Sequence, residues 1–83
     1  MSYTELYINR IRALCRARGI SVNKLSTMSG VKQSTLDNIM HAKTYAPRAS
    51  TLHKLANAFN MTLAEFVDFK ELNEYSFEDE EEE

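Results

Sequence analysis

Residues 30–43, GVKQSTLDNIMHAK, determine how the rest of the chain is interpreted. If this stretch is helical from Lys32, one face is apolar at the i, i+3, i+4 spacing of a buried stripe. That face consists of Leu36, Ile39 and Met40, with Val31 just ahead of it. The exposed face is polar and uncharged and consists of Gln33 in the first turn, Ser34, Asn38 and His41. Whether this polar face has a function depends on what surrounds it.

A second short helix is predicted immediately before this one, in the segment VNKLSTM. Ser21 can cap it, Gly30 ends it, and its inward side chains are expected to be Leu25, Ser26 and Met28. Because so few residues separate the two helices, they should meet at a steep angle. Gly30 permits a positive φ at the turn, and the small Ser26 lets the helices approach. The pattern is that of a helix-turn-helix.

The amino-terminal segment predicts a longer first helix. Ser2 and Glu5 have the spacing of a capping box, and Gly19 is placed to end the helix. The apolar residues between them share one face, namely Tyr7, Ile8, Ile11, Leu14 and Cys15. This face should be the buried side of the helix.

Two further helices are predicted after a loop, HAKTYAPRA, that contains Pro47. Ser50 or Thr51 should cap the fourth helix, whose stripe is Leu52, Leu55, Ala56 and Phe59. Asn60 can take a left-handed exit, and Thr62 with Glu65 forms a capping box for the fifth helix. The buried side of that helix should contain Leu63, Phe66, Val67 and Phe69, with Met61 stapled onto Phe66. Since no stretch alternates apolar and polar residues, the fold should be all-α with five helices.

The charge is divided along the chain. Residues 1–70 contain ten Lys and Arg and four acids, a net charge of +6, whereas residues 71–83 contain eight acids and no base. We therefore expect one basic domain, residues 1–70, followed by an acidic tail, residues 71–83, that is extended or disordered from about Asn73. A positive domain suggests a polyanionic partner.

Composition excludes several other classes. The chain of 83 residues is one small domain without an apolar run that could span a membrane or serve as a signal peptide, and its single Cys15 fits a reducing, cytoplasmic setting. No phosphate-binding loop, metal-ligand cluster or paired nucleophile and base is recognisable, so we expect no catalysis, cofactor or metal. His41 and His53 are interpreted as surface residues and Cys15 as a core residue.

The run LSTMSGVKQSTLDNIMHAKTYAP, followed by STLHKLANAFNMTLAEF, resembles the Cro and lambda-repressor-like family of XRE-type regulators. The resemblance covers about residues 5–69. It implies a compact five-helix DNA-binding domain whose third helix enters the major groove of double-stranded DNA. The positions that match base-contacting residues of the family are Gln33, Ser34 and Asn38. Those that match phosphate-contacting residues are Ser21, Lys32, Lys43 and Arg48.

The chain departs from the family pattern at several positions. Met40 replaces a usual Glu and Cys15 replaces the Arg that pairs with it, so an apolar pair would stand where the family has an ion pair. Lys32 replaces a Ser cap, Ala42 a Gly, and Val22 a polar residue that often contacts phosphate. These departures affect contacts more than the fold.

Function is expected to be transcriptional regulation, and repression in particular. One recognition helix covers few base pairs, so a homodimer is expected at least on DNA, with helix five and the aromatic tail segment as candidate surfaces. The alternative is an antitoxin-like or adaptor module on the same scaffold. In that case Leu72, Tyr75 and Phe77, amid acids, would dock a protein partner.

Overall fold

The computed structural model describes residues 1–79, and this part of the chain is helical without a β-strand. In chain order the α-helices are α1 (Tyr3–Arg18), α2 (Val22–Ser29), α3 (Gln33–Met40), α4 (Ala49–Ala58), α5 (Leu63–Val67) and α6 (Lys70–Asn73). A 3-10 turn follows at Phe77–Asp79. The all-α prediction is confirmed. Among the described residues, no helix combines the length and the apolar composition of a membrane-spanning segment.

The helix ends near the amino terminus follow the predicted chemistry. The Ser2 hydroxyl oxygen accepts the Glu5 backbone N–H, and Gly19 ends α1 with a φ of 65°. The Ser21 hydroxyl oxygen accepts the Lys24 backbone N–H at 3.0 Å, and Gly30 ends α2 with a φ of 74°. Local capping therefore sets both ends of the first two helices.

Two local expectations are wrong. Met28 was expected to face inward but is 46% exposed, because the inward face of α2 is formed by Val22, Leu25, Ser26 and Ser29. Neither Ser50 nor Thr51 caps α4. The Leu52 backbone N–H donates to the Arg48 carbonyl oxygen. The helix therefore begins before Ser50 and Thr51, and Arg48 occupies the cap position.

The expectation of five helices is also wrong, because the segment that was predicted as one fifth helix is divided. Phe69 has extended backbone angles, φ −137° and ψ 150°, and α6 begins directly after it. The guanidinium of Arg10 explains where α5 ends. Its Nε donates to the Phe66 carbonyl oxygen and its Nη2 to the Glu65 carbonyl oxygen, both at 3.0 Å, so these carbonyls are satisfied without a further helical turn.

All of the first five helices contribute to one hydrophobic core. Its largest fully buried side chains are Ile11, Leu25, Leu36, Leu55, Phe59 and Phe66. Cys15 and Met40 belong to the same core and are 5% and 9% exposed. Burial raises the pKa of the Cys15 thiol, which is a free cysteine. The predicted core residues of α1, α3 and α4 are confirmed.

Two arginines of the basic domain serve the fold. Besides capping α5, Arg10 lies over the Phe69 ring, 5.0 Å from its centroid. Arg18 Nη2 donates to the Phe59 carbonyl oxygen at 2.9 Å, at the end of α4, and lies over the Phe59 ring. Both contacts place a cation at the negative end of a helix. These two charges are therefore committed to helix ends rather than to a ligand.

The beginning of the acidic tail is folded. The rings of Tyr75 and Phe77 pack against Tyr3, with centroids 5.1 and 5.2 Å away, so the expected extended chain from Asn73 is wrong as far as residue 79. Contacts between aromatic rings supply packing energy that the acidic composition of this segment would not provide. Residues 80–83, the rest of the predicted tail, lie outside the described residues. The domain boundary at residue 70 stays a prediction.

Candidate nucleic-acid interface

The turn between α2 and α3 is held by three hydrogen bonds. The Ser26 hydroxyl donates to the Val31 carbonyl oxygen at 2.6 Å. The Ser29 hydroxyl oxygen accepts the Val31 N–H at 3.2 Å, and the same hydroxyl donates to the Ser26 carbonyl oxygen. Together with the positive φ of Gly30, these bonds fix the direction in which α3 leaves the turn.

The apolar stripe of α3 anchors the helix and leaves its polar face outward. Leu36, Ile39 and Met40 are buried. The predicted base-contacting residues Gln33, Ser34 and Asn38 are exposed on the same helix. The α-helix therefore presents its amides and hydroxyl from a rigid element rather than from a loop.

An acidic residue that the sequence analysis did not single out lies on this face. The Gln33 side-chain Nε2 donates to the Asp37 carboxylate at 2.8 Å, one helical turn further on. His41 Nδ1 lies 2.8 Å from the Asp37 backbone carbonyl oxygen, and because a carbonyl oxygen only accepts, Nδ1 is the donor. The i, i+4 spacing of Gln33 and Asp37 is a signal that the sequence already contained.

Two hollows lie between α3 and α4, and each contains a predicted phosphate-contacting residue. One, of about 200 Å³, is lined by Asn38 and Arg48 among others. The other, of about 300 Å³, is lined by Lys32 and Lys54 among others. Thr35 lines both hollows. A predicted base-contacting amide and a basic side chain thus line one hollow, and Lys32 and a second lysine line the other.

Lys54 and Thr35 were missed by the sequence analysis. Lys54 is exposed and lies off the buried stripe of α4, and Thr35 is exposed between the two predicted reading positions Ser34 and Asn38. A comparison of the outward faces of both helices would have indicated them. The apolar stripe of α4 indicates its core residues but does not point to its outward face.

Lys43 and Ser21 lie outside these two hollows. Lys43 is exposed in the loop after α3, and its backbone N–H donates to the Asn38 carbonyl oxygen at 2.8 Å. The buried hydroxyl of Thr4 donates to the Thr44 carbonyl oxygen, which ties this loop to α1. The Ser21 oxygen already accepts a backbone N–H as a helix cap, so its O–H is the group left for an anion.

The described residues contain no group of three or more His, Cys, Asp or Glu side chains that could hold a metal ion. The side chains on this face offer amides, hydroxyls, basic groups and the carboxylate of Asp37. Neutral amides can distinguish base edges, whereas lysine and arginine suit phosphate oxygens.

Comparison with known proteins gives matches that coincide with this region. The sequence model described as "Cro/C1-type HTH DNA-binding domain" matches residues 10–71. The chain is similar to the "HTH-type transcriptional repressor RghR" of Bacillus subtilis (strain 168), with 35% identity over 57 residues, 69% of this chain and 42% of the relative. It is also similar to the "Uncharacterized HTH-type transcriptional regulator RghRB" of the same organism, with 38% identity over 47 residues, 57% of this chain and 34% of the relative.

The chain thus spans less than half the length of the curated relatives that it matches. No solved structure matches it significantly.

Proposed function

The chain belongs to the Cro/C1-type helix-turn-helix DNA-binding family, and from this premise we propose that it is a sequence-specific regulator of transcription. In this proposal it binds double-stranded DNA and reads the major groove with α3. The observation that carries the proposal is the combination of a buried apolar stripe and an exposed amide-bearing face on that one helix.

The dimensions and chemistry of α3 support major-groove reading. The major groove of B-DNA is about 12 Å wide and admits an α-helix, and its base edges present distinct sets of donors and acceptors. Gln33 and Asn38 each carry one amide that can pair with adenine, and Ser34 can donate or accept. We assign base contacts to these three residues.

Backbone contacts are assigned to Ser21, Lys32, Lys43 and Arg48. The exposed positions of all four agree with this assignment. Lys54 joins them because it lines the same hollow as Lys32. Such contacts hold the protein in register on the duplex without reading its sequence.

We further propose that the protein acts as a repressor and binds as a homodimer. RghR, a relative, is named as a transcriptional repressor. Two recognition helices on half-sites about 34 Å apart would read enough base pairs for useful specificity. We place this activity in the cytoplasm, in keeping with the free thiol of Cys15.

The packing of the carboxy-terminal segment bears on the alternative, a protein-binding adaptor. Leu72 and Tyr75 are half-buried against the body of the protein, and the ring of Phe77 packs on Tyr3 although this residue is 60% exposed. Residues that stabilise the fold in this way leave less apolar surface for a partner. This favours the DNA-binding regulator.

Selection of bound duplexes from a random pool tests the proposal. We expect a recurring half-site in two copies about one helical turn apart, and an affinity that falls steeply as salt rises. Loss of binding when Gln33 and Asn38 are both replaced by Ala would support the reading role of α3. If the protein bound no DNA duplex even at low salt and instead co-purified with a basic protein, the proposal would be overturned in favour of the adaptor.

A further inference from the structure

We propose that Asp37 is a positioning residue. It fixes the orientation of the Gln33 side-chain amide and thereby limits which base Gln33 can recognise. This inference rests on the proposed function, because it assigns a determinant of specificity within the same interface. It goes beyond the base-contacting residues already assigned, since Asp37 acts through Gln33.

The orientation of the Gln33 amide follows from the chemistry of its partner. An ionised carboxylate only accepts hydrogen bonds, so the atom of Gln33 that lies 2.8 Å from Asp37 Oδ1 is the donor Nε2. The reverse orientation would place the amide oxygen against the carboxylate, with two acceptors in contact. Asp37 therefore selects one of the two orientations that the Gln33 amide could adopt by rotation.

The contact also removes one of the two N–H groups that Gln33 could offer to DNA. What remains is the carbonyl oxygen Oε1 and a single N–H. Adenine presents an N6–H donor and an N7 acceptor in the major groove, which match this remaining pair. Guanine presents two acceptors, N7 and O6, and an amide with one N–H left cannot donate to both.

The carboxylate is well placed for this role before DNA is bound. Asp37 is half-buried on α3. Its backbone carbonyl oxygen accepts both the N–H and the Nδ1–H of His41, which holds the backbone that carries the carboxylate. An amide that is already oriented loses less rotational freedom on binding than an unrestrained one. The pair thus favours adenine by orientation as well as by the count of donors.

The test is Asp37→Asn, which keeps the shape of the side chain. An asparagine can accept from Nε2 or donate to Oε1, so both orientations of the Gln33 amide become tolerable. Duplexes from the selected pool would be compared with adenine or guanine at the base pair read by Gln33. We expect the parent to prefer adenine by about tenfold at that position, and the variant to lose most of this preference.

Removal of the negative charge of Asp37 should also raise the affinity for every duplex. The ratio of the affinities for the adenine and guanine duplexes separates this general effect from base preference. The matched control is Asp37→Asn in a Gln33→Ala background, where the adenine to guanine ratio should no longer respond. Thermal unfolding of each variant checks the fold, and Asp37→Ser provides a second variant that cannot supply a carboxylate.

An unchanged adenine to guanine ratio in both Asp37 variants would overturn the inference, as would an equal change of this ratio without Gln33. These results leave the regulator proposal intact, because the parent would still bind its selected duplex. A parent that binds no duplex would overturn the proposed function, and this inference with it.

Discussion

The Ser26 hydroxyl donates a 2.6 Å hydrogen bond to the Val31 carbonyl oxygen, so a side chain of α2 is joined to the backbone just before α3. Ser26 is half-buried and Val31 is buried, which limits access of water to this bond. A small residue is usually explained at this place by the close approach of two helices. Here the same residue also closes the turn that orients the recognition helix.

Ser26→Ala should destabilise the protein by about 1 kcal/mol, because it leaves the Val31 carbonyl without this donor while keeping a small side chain. Urea denaturation measures the change. Thr27→Ala is the matched control, since Thr27 is exposed on the same helix and its hydroxyl makes only a 3.5 Å contact with the Asn23 carbonyl oxygen. Equal losses for both variants would show that the turn bond contributes nothing specific.

Ala42→Gly should stabilise the protein by about 0.5–1 kcal/mol. Ala42 has a φ of 55°, in the left-handed region where a Cβ atom is strained, and glycine removes that strain at some cost in chain entropy. Ala13→Gly, at an exposed position within α1, should instead destabilise by about 1 kcal/mol. Thermal or urea unfolding of both variants measures the sign of each change in the free energy of unfolding. A loss of stability in Ala42→Gly would contradict the expectation.

Cys15 and Met40 are buried in the same core, and we expect them to behave as a coupled unit. Cys15→Arg introduces an unpaired charge into the core and should destabilise by about 3–5 kcal/mol. Adding Met40→Glu should restore much of this loss, because the two charges can then pair. A double-mutant cycle by denaturation measures the coupling. Additive effects of the two single changes would show that the side chains do not interact.

Most of the core could be predicted from periodicity. The stripes of α1, α3 and α4 follow the helical repeat, and the glycines at positions 19 and 30 adopt the positive φ that marks helix ends. These features depend on neighbours within one or two turns, which a sequence displays directly. Met28 was misplaced because two of the residues on the inward face of α2 are the serines Ser26 and Ser29, so apolar residues alone do not mark that face.

The division of α5 from α6 could not be predicted, because it depends on contacts distant in sequence. Arg10 satisfies the carbonyls of Glu65 and Phe66, more than fifty positions away. The packing of Tyr75 and Phe77 on Tyr3 is equally remote. The contact between Gln33 and Asp37 is local, and its i, i+4 spacing is visible in the sequence. Only the structure shows that this pair, among several polar pairs with such spacing, forms a hydrogen bond.

Base-reading and phosphate-binding residues should separate in their response to DNA sequence. Gln33→Ala or Asn38→Ala should reduce discrimination at particular base pairs by about 1–3 kcal/mol. Lys43→Ala or Arg48→Ala should weaken binding to all duplexes and reduce the salt dependence. Titration of selected and scrambled duplexes at several salt concentrations distinguishes the two classes. Equal effects of all four changes on both duplexes would remove the assigned roles.

The position of the acidic segment leads to the last prediction. The ring of Tyr3 contacts Phe77 on one side and stacks with Tyr45, 6.1 Å away, in the loop that also contains Lys43. Tyr3 therefore links Phe77, the residue before the acidic positions 78–83, to the loop that contains the predicted phosphate-contacting Lys43. Residues 71–83 have a net charge of −8 against +6 for residues 1–70. A polyanion tethered so close competes with DNA phosphate at high effective concentration.

Replacing Glu80, Glu81, Glu82 and Glu83 by Gln should therefore strengthen binding to nonspecific duplex at low salt, and this gain should shrink as salt screens both competitors. Specific binding should gain less, because base contacts add to it and the tail cannot imitate them. Phe77→Ala retains every charge but loosens the ring contact with Tyr3, so a gain in this variant as well would locate the effect in the tethering. Nonspecific affinity equal to that of the parent in the Gln variant would show instead that the terminal acids do not compete with DNA, and that their charge acts only on solubility.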